Sequence, residues 1–518
     1  MRSKKLMLQW TCIALAGLLL LGGCGQATGG PGEPTPSVPS SANTLTATPE
    51  PTPEPPTELS IVMYERWAGV GYDNPLTHLI EERTNTRLKI TAIAGGDLEN
   101  KLNIMLASGD RPDIIQFGLD DTEWKYSRSG VLLALDEYFD KAPNLEAFGN
   151  DGTWDAMRHE DGHIYAAPIK GSIIDNIPLY RKDWLDNLGL KVPATIDEFI
   201  TVAEAFANND PDGNGKKDTY ALGGFTLANG FDLASWDHVF GAFGTLPNYW
   251  VEWDGRIMNG SVTPGALEAL KVLNRLYKNK AIDMEFLTDN SSRFKEKLIQ
   301  GIIGAPVYRT FILDPNNINN YYEPMKQHNP EAEFVEGAIL KGSDRAIGFR
   351  TLTQRGWQKT AVLKESKHAD AAIRLLDYLA SEEGNMLVNY GAEGTDYTLE
   401  NGMVTRLITD EDMKKRGVDQ FRLTFNQLYK HTSLRFQEIR EYAVSISYSS
   451  PVDGIFIEGD TKLSELDGFA SVKFSEMITA EGPIDEMFNA FVAEWNKRGG
   501  EALTQAYNEA YQKRKAGQ

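Results

Sequence analysis

The chain has 518 residues, of which 41% are hydrophobic, enough to build a folded body larger than one typical domain. It carries 52 lysines and arginines against 73 aspartates and glutamates, which gives a formal net charge of −21. A charge of this sign argues against nucleic acid as a partner, and against anionic lipid bound through a basic patch.

The N-terminus predicts an exported, lipid-anchored protein. Three basic side chains within the first five residues precede an apolar run over residues 6–21, which is the arrangement of a secretory signal peptide. The run ends in LGGC, which resembles the lipobox of bacterial lipoproteins and predicts acylation of Cys24 after removal of residues 1–23. An ordinary cleavage site beside an incidental cysteine is the alternative. Contact with the membrane is expected through this anchor alone, on the extracellular face of the cell membrane.

Residues 24–57 are expected to form a solvated tether. After Cys24 the segment holds nine prolines and neither lysine nor arginine. Such a composition cannot bury enough apolar surface to offset the entropy of ordering, and proline keeps the chain extended. Cys24 is the only cysteine beyond the signal, so the body that begins at Glu58 has to be stable without a disulfide.

The start of this body alternates between strand and helix patterns. Strands are predicted over residues 58–65, 87–95 and 112–118, and helices over residues 74–85 and 97–110. This alternation predicts an α/β fold with a parallel sheet that is covered by helices on both faces. Ligands of such sheets bind beyond the carboxyl ends of the strands.

The loop DPDGNGKKD, residues 210–218, is typical of a cation site. Oxygen-bearing side chains occur at alternate positions, and Gly215 lies at the bend. A calmodulin-type loop would place a glutamate at its twelfth position, where this chain has Ala221, so the sensor interpretation fails. A structural calcium ion and a polar turn without metal remain as the two interpretations.

A second motif, HEDGH at residues 159–163, matches the zinc-protease pattern literally. That chemistry needs both histidines on one face of a helix, one turn apart. Asp161-Gly162 is a strong turn signal in the middle of the motif, and a strand is predicted to follow it. The motif therefore predicts a hairpin and not a zinc site.

Several longer segments together resemble one protein family. They are NKLNIMLASGDRPDII (100–115), LLALDEYFDKAPN (132–144), DGHIYAAP (161–168), LYRKDWLDNLGLKVPATIDEF (179–199), KHADAAIRLLDYLASEEGNMLVNYGAEGTDY (367–397) and the closing helix at 484–514. In order and spacing they resemble the extracellular solute-binding lipoproteins of carbohydrate ABC importers. Among these, the pattern is most similar to the long, calcium-containing oligosaccharide binders related to the alginate-binding proteins.

The resemblance implies a two-lobed clamp of α/β lobes with a ligand cleft between them. The first lobe is predicted from residues 58–172 and 338–395, and the second from residues 173–337 and 396–518. The implied function is non-catalytic capture of an oligosaccharide for separate permease subunits, by a chain expected to be a monomer. A surface glycoside hydrolase and a carbohydrate adhesin or sensor are the alternatives.

The resemblance also implies calcium ligands in the loop at 210–218. Asp210, Asp212, Asn214 and Asp218 align with the side-chain ligands of the relatives, and Lys216 would contribute its backbone oxygen. Relatives often carry an acidic residue after the last aspartate, where this chain has Thr219, so the last ligand is left open.

The sugar-binding residues are predicted from chemistry and position. Pyranose rings expose apolar C–H faces, which flat aromatic side chains cover, while polar groups bind the hydroxyls. Trp184 and Trp495 lie on helices with regular apolar spacing and are assigned to the core. The candidate ligand contacts in predicted loops and strand ends are Trp67, Gln116, Trp236, Trp250, Trp253, Tyr308, Arg309, Trp357, Glu393 and Tyr397.

Overall fold

The structure is a computed structural model that describes residues 55–94, 97–118, 123–170, 176–227, 230–317, 320–350, 358–426, 429–455, 457 and 462–516. The predicted signal peptide, Cys24 and nearly all of the tether lie outside the described residues, as does Trp357. Among the residues that are described, no helix has the length and apolar character needed to cross a membrane.

Strands and helices alternate at the start of the described chain and follow one another in groups of two or three over much of the rest. The strands, β1 to β16 in chain order, are Thr57–Tyr64, Thr86–Ile93, Ile114–Phe117, Ala167–Pro168, Asn176–Arg181, Thr226–Leu227, Gly230–Phe231, Trp250–Trp253, Arg256–Asn259, Val307–Arg309, Phe334–Glu336, Phe349–Arg350, Lys359–Val362, Tyr397–Glu400, Met403–Arg406 and Ser447–Tyr448. The helices, α1 to α18, are Pro75–Thr84, Leu98–Ser108, Glu123–Arg128, Pro143–Phe148, Thr153–Met157, Lys182–Leu188, Ile196–Asn208, Asp237–Gly241, Pro264–Lys278, Ser291–Ile299, Tyr322–His328, Ala369–Ala380, Glu382–Tyr390, Asp410–Arg416, Leu434–Ser445, Leu463–Thr479, Ile484–Trp495 and Glu501–Lys515.

The sheet of the first lobe has the strand order β2-β1-β3-β13-β4. β1 pairs in parallel with β2 and β3, and β13 runs antiparallel between β3 and β4. Its first strands and helices lie where the sequence predicts them, within a few residues at each end. Helix α1 shows why: the Asn74 side chain accepts a hydrogen bond from the Thr77 backbone N–H, and Pro75 occupies the first helical position.

The second lobe is built around a three-stranded sheet of order β10-β5-β11 and a larger helical core. Helix α7 starts at a capping box formed by Thr195 and Glu198 and buries one apolar face. Trp184 and Trp495 are fully enclosed in this core, at 0% and 1% exposure, as their helical spacing predicts.

The core clusters divide the chain differently from the predicted lobe boundaries. Leu340 and Phe349 pack in the second lobe, so the described chain returns to the first lobe only with β13. Phe421, Leu423 and Phe425 then pack in the core of the first lobe, although residues 396–518 were assigned to the second. The segments that cross between the lobes are short and apolar. No local pattern in the sequence indicates in which of the two cores they pack.

The HEDGH segment forms a turn, as its Asp-Gly pair predicts. The backbone N–H of Gly162 donates to the carbonyl of His159, and the N–H of His159 donates to the carbonyl of His163. His159 stacks on Trp124 with ring centres 3.6 Å apart, while His163 pairs with Asp136. The two imidazoles thus have different polar and stacking partners, although both stand edge-on to Tyr165.

A buried imidazole on α8 makes the second lobe sensitive to acid. His238 is enclosed in the core, its ring stands edge-on to Phe199 at 4.8 Å, and neither ring nitrogen has a hydrogen-bond partner among the described residues. Because a charged ring would have to be buried without a partner, burial lowers the pKa of His238 to about 3.

We expect His238 to account for part of any acid-induced loss of stability. The unfolded chain binds a proton here below about pH 6.5, whereas the folded chain does so only near its much lower pKa, so the free energy of unfolding falls as the pH drops through this window. His238→Leu should remove about 2 kcal/mol of the loss between about pH 7 and pH 5, measured by urea denaturation at both values. His328→Leu, at an exposed position on α11, is the control and should leave the loss unchanged. An equal loss in wild type and His238→Leu would contradict the assignment.

Candidate functional site

The predicted calcium loop follows α7 and is held by its own polar groups. The Gly215 N–H donates to Asp210 Oδ2 at 2.9 Å, and the Lys216 N–H donates to Asn214 Oδ1 at 2.7 Å. The Asn214 amide also donates to the carboxylates of Asp212 and Asp218, at 2.9 and 3.1 Å. The fold therefore collects the four predicted side chains around one turn.

The donor chemistry of this loop fits a hard cation, although its side chains are not preset as a metal cage. No group of three or more His, Cys, Asp or Glu side chains within the described ranges is placed to hold a metal ion. Asp210 Oδ1, however, is buried without a hydrogen-bond partner in the part of the chain that is described. Burial, together with Asp210 and Asp218, raises the pKa of Asp212. Crowded carboxylates with an unused buried oxygen are what a calcium ion would relieve.

On the first lobe, polar and aromatic side chains gather just beyond the carboxyl end of β1. Arg66 donates to Asp419 at 2.8 Å, and Arg422 pairs with the same carboxylate. Burial lowers the pKa of Arg66 to about 10. The half-buried ring of Trp67 has the Arg66 guanidinium 4.8 Å and the Lys414 ammonium 5.2 Å from its centre. We call these residues the first-lobe wall.

The Gln116 side chain is buried behind the first-lobe wall and does not form part of its surface. Its Oε1 accepts from the Tyr64 N–H at 3.1 Å, and its Nε2 donates to the Arg422 carbonyl at 2.5 Å. Both ends of the amide are thus used within the protein. Gln116 links the end of β3 to the segment that carries Arg422.

On the second lobe, the corresponding group centres on a buried ion pair. Arg350, at the end of β12, donates to both carboxylate oxygens of Asp237 at 2.6 and 2.7 Å and to the Pro247 carbonyl at 3.0 Å. Burial opposes the charge on Arg350, but the contact with Asp237 outweighs it and raises the pKa of the guanidinium. The Tyr249 ring centre lies 5.7 Å from the guanidinium.

Two more carboxyls lie in the field of Arg350. Burial raises the pKa of Asp467 to about 7, with Arg350 opposing it. Burial likewise raises the pKa of Asp232, which Arg350 and Arg309 oppose. Near neutral pH the Asp467 carboxyl can therefore both donate and accept hydrogen bonds. Arg350, Asp237, Asp232, Asp467 and Tyr249 form what we call the second-lobe wall.

Tyr308 and Arg309 are the last two residues of β10, and both lie within electrostatic range of Asp232 in this wall. The half-buried Tyr308 ring packs 5.7 Å from Tyr321, and burial raises the pKa of its hydroxyl. Arg309 is exposed and makes no ion pair within the described ranges. Its guanidinium lies 5.9 Å from the centre of the Phe311 ring.

The first-lobe wall and the second-lobe segment that follows β10 meet around a small polar cavity of about 30 Å³. Asp314 and Asn316 come from the second lobe, and Asp419 and Arg422 from the first. The Asn316 amide crosses to the Val404 carbonyl at 2.8 Å. Burial raises the pKa of Asp314 to about 6. A hydrogen-bonding junction thus lies between the lobes.

The structure places other predicted contacts elsewhere. Trp236 is fully buried, with its indole N–H donating to the Gly223 carbonyl, and Trp250 is buried against Tyr507 at 4.3 Å. Tyr397 is buried against Tyr390, and Glu393 is exposed on the neighbouring turn. Trp253 remains half-exposed on the hairpin β8–β9. As arranged here, the rings of Trp236, Trp250 and Tyr397 serve the core.

Sequence reasoning missed the charged pairs of both walls. Asp237 and Arg350 are 113 residues apart, and Arg66 and Asp419 are 353 residues apart. Each residue taken alone reads as an ordinary surface charge.

Comparison with known proteins agrees with this architecture. The sequence model of the bacterial extracellular solute-binding proteins matches residues 71–386. Lipoprotein LipO of Bacillus subtilis strain 168 is 26% identical over 470 residues, which cover 85% of this chain and 89% of that protein. The polygalacturonan/rhamnogalacturonan-binding protein YtcQ of the same strain is 28% identical over 459 residues, covering 84% and 88%.

A solved structure shares the fold. The S. pneumoniae ABC-transporter substrate binding protein FusA, in complex with kestose, matches with a TM-score of 0.70 and 20% sequence identity, covering 89% of this chain and 100% of that chain. FusA has also been solved as an EF-hand mutant. The two-lobed α/β clamp predicted from the sequence is thus confirmed. The family model matches residues 71–386, which is more than half of this chain. The chain therefore belongs to the bacterial extracellular solute-binding proteins.

Proposed function

We propose that this protein captures an oligosaccharide outside the cell and delivers it to the permease subunits of an ABC importer. The observation that carries the proposal is the pair of walls, because each combines an aromatic ring with guanidinium and carboxylate groups that are already paired. Paired charges of this kind present fixed donors and acceptors to neutral hydroxyl groups, and the rings present flat apolar faces to sugar C–H groups. YtcQ, a polygalacturonan/rhamnogalacturonan-binding protein, and FusA, solved in complex with kestose, support this ligand class.

Catalysis is not part of the proposal. A glycoside hydrolase needs two carboxyl groups on either side of the scissile bond, one of them as a proton donor. In the two walls, Asp419 is paired with Arg66 and Arg422. Both carboxylate oxygens of Asp237 accept hydrogen bonds from Arg350, although burial raises the pKa of Asp237. The oxygens of these two carboxyl groups are thus occupied by guanidinium groups of the protein. Incubation with bound oligosaccharides should therefore release no new reducing ends. If new reducing ends appear, the protein is a surface glycoside hydrolase and the proposal of a non-catalytic binding protein is wrong.

The direct test of the proposal is a glycan array probed with the purified body of the protein. Binding of soluble oligosaccharides, with compaction in small-angle scattering, is expected of a clamp that closes on its ligand. Binding only to immobilised polymer, without compaction, would favour an adhesin. An amino acid or peptide bound where all sugars fail would overturn the carbohydrate assignment.

The first-lobe wall gives the first site prediction. Trp67→Ala should weaken oligosaccharide binding by about 1–3 kcal/mol, or roughly tenfold to more than a hundredfold, because it removes a half-exposed stacking surface. Isothermal titration calorimetry measures the change. Tyr138→Ala is the matched control, since this half-buried ring of the same lobe also lies beside a lysine, at 5.8 Å, but outside both walls. Equal effects of the two substitutions would contradict a ligand contact at Trp67.

We propose further that the loop at 210–218 binds a structural calcium ion. Asp210, Asp212, Asn214 and Asp218 would supply side-chain oxygens, and Lys216 its carbonyl. The unused Asp210 Oδ1 and the raised pKa of Asp212 support this assignment. The ion would neutralise carboxylates that are held here by neutral donors, the Asn214 amide and backbone N–H groups.

Chelation should therefore lower the melting temperature, and calcium should restore it. Calcium at a hundredfold excess over its Kd stabilises the folded state by about 2.7 kcal/mol when it does not bind the unfolded chain. Asp212→Ala should abolish the calcium response in differential scanning calorimetry, whereas Asp344→Ala, at an exposed aspartate outside the loop, should keep it. A calcium effect on sugar affinity that far exceeds the effect on stability would place the ion in the ligand site instead.

We propose lastly that acyl chains on Cys24 hold the protein to the membrane. Cys24→Ser should then release the protein into the soluble fraction with an unchanged melting temperature, because Cys24 precedes the body that begins at Glu58 by more than thirty residues of sequence. Membrane fractionation with calorimetry of the released protein measures both. A variant that stays tightly bound to the membrane would refute the lipobox interpretation.

A further inference from the structure

The second lobe carries a cavity outside the two walls. Its volume is about 510 Å³, and it opens between the hairpin β8–β9 and two loops. The residues that line it include Glu252, Trp253, Asp254, Arg345, Tyr448 and Ser449. A volume of this size lies within the usual range of small-molecule sites, roughly 300–1,000 Å³.

The cavity adjoins the second-lobe wall through one residue. Tyr448 lines the cavity and is also the strand partner of Arg350 in the pairing of β12 with β16. The Glu252 N–H donates to the Tyr448 hydroxyl at 3.3 Å, and the Tyr249 hydroxyl donates to the Tyr448 carbonyl at 3.4 Å. A chain of sugar units that passes Arg350 and Tyr249 would therefore reach this cavity next.

Trp253 is the aromatic surface of the cavity. Its ring is seated against Gly265, where an added Cβ would lie 3.1 Å from the ring atoms, so the glycine permits this close approach. The Arg345 guanidinium covers the ring at 4.8 Å from its centre and pairs with Asp254 at 2.6 Å. Trp253 is only half-buried, in contrast to Trp250 in the same strand.

The guanidinium that covers Trp253 can be displaced at little cost. The Arg345 and Asp254 side chains are 49% and 61% exposed, and ion pairs of this exposure typically contribute less than about 1 kcal/mol. A sugar ring that displaces Arg345 would gain the apolar indole surface while the guanidinium stays close enough to bind its hydroxyls. Glu252, Tyr448 and Ser449 offer further polar groups around the opening.

We propose that this cavity is an outer sugar-binding subsite, with Trp253 as its stacking surface. It receives the end unit of oligosaccharides that are long enough to extend past the second-lobe wall, and it thereby sets the chain length that the protein prefers. The proposal rests on oligosaccharide capture as the function of the two walls. It adds a ligand contact that shorter sugars do not reach.

The test measures the affinity of ligands of increasing length for wild type and for two substitutions of Trp253. Fructo-oligosaccharides and oligogalacturonides, each from disaccharide to hexasaccharide, are titrated by calorimetry, with any other series that the glycan array selects. In wild type, affinity should rise at the length that first reaches the cavity. Trp253→Ala should remove that rise, lowering affinity for the longer ligands by about tenfold to a hundredfold and leaving the shorter ones unchanged. Trp253→Phe, which keeps a stacking ring, should restore most of it.

Tyr322→Ala is the matched control. Its half-buried ring is likewise covered by a cation, Lys326 at 4.5 Å, but it lies on α11 and does not line the cavity. This variant should bind every length as wild type does. Longer ligands should also change tryptophan fluorescence more in wild type than in Trp253→Phe, in which Trp67 still responds to every bound sugar.

The outcomes separate this proposal from the one on which it rests. An affinity loss at Trp253→Ala that is equal for all lengths, or absent at all lengths, overturns the outer subsite while the binding function stands. A wild-type protein that binds no glycan on the array rejects oligosaccharide capture itself, and the subsite with it. Changes in melting temperature identify any variant that fails to fold. If Trp253→Ala fails in this way, the comparison of Trp253→Phe with wild type decides whether the outer subsite exists.

Discussion

The buried ion pair between Asp237 and Arg350 is the contact on which the second lobe's side of the cleft depends. It joins the start of α8 to the end of β12, and Arg350 also binds the Pro247 carbonyl, so three separate segments meet at one guanidinium. Breaking a buried pair by removing one partner typically costs about 3–5 kcal/mol, because the other charge is left without compensation. Tyr249 and Tyr448 lie on segments that Arg350 connects, so this contact fixes their positions. The position of the cavity beyond Tyr448 follows from the same contact.

The use of charge at the cleft contrasts with the charge of the whole chain. The net charge is −21, yet the carboxylates Asp419 and Asp237 in the two walls are each paired with at least one guanidinium group. Like-charge repulsion between acidic walls would oppose closure of the lobes on a neutral ligand. Local pairing avoids that repulsion, while the surface excess of acid favours solubility. Carboxyls with raised pKa values, Asp467 and Asp314, reduce the negative charge at the cleft further.

Local sequence signals predicted the local structure well. The helix that begins at Pro75 carries its own cap, the Asp161-Gly162 turn forms where it is expected, and Trp184 and Trp495 lie in the core. Prediction failed where the outcome depends on distant contacts. Trp236 and Trp253 both follow polar, loop-like sequence, but one closes a core against Phe231 and the other remains at a cavity. Similarly, nothing near Asp419 indicates that Arg66, placed 353 residues earlier, is its partner.

The proposed calcium loop and the sugar site are connected through main-chain pairing. The loop ends at Asp218, and two residues later the Tyr220 N–H donates to the Ile302 carbonyl while the Gly304 N–H donates to the Tyr220 carbonyl. The segment paired in this way continues into β10, which ends at Tyr308 and Arg309. An ion that orders the loop therefore fixes the register of a segment whose far end adjoins the second-lobe wall. Because backbone hydrogen bonds, and no shared ligand atoms, link the two places, the ion is expected to act first on stability and only through it on the arrangement of the site.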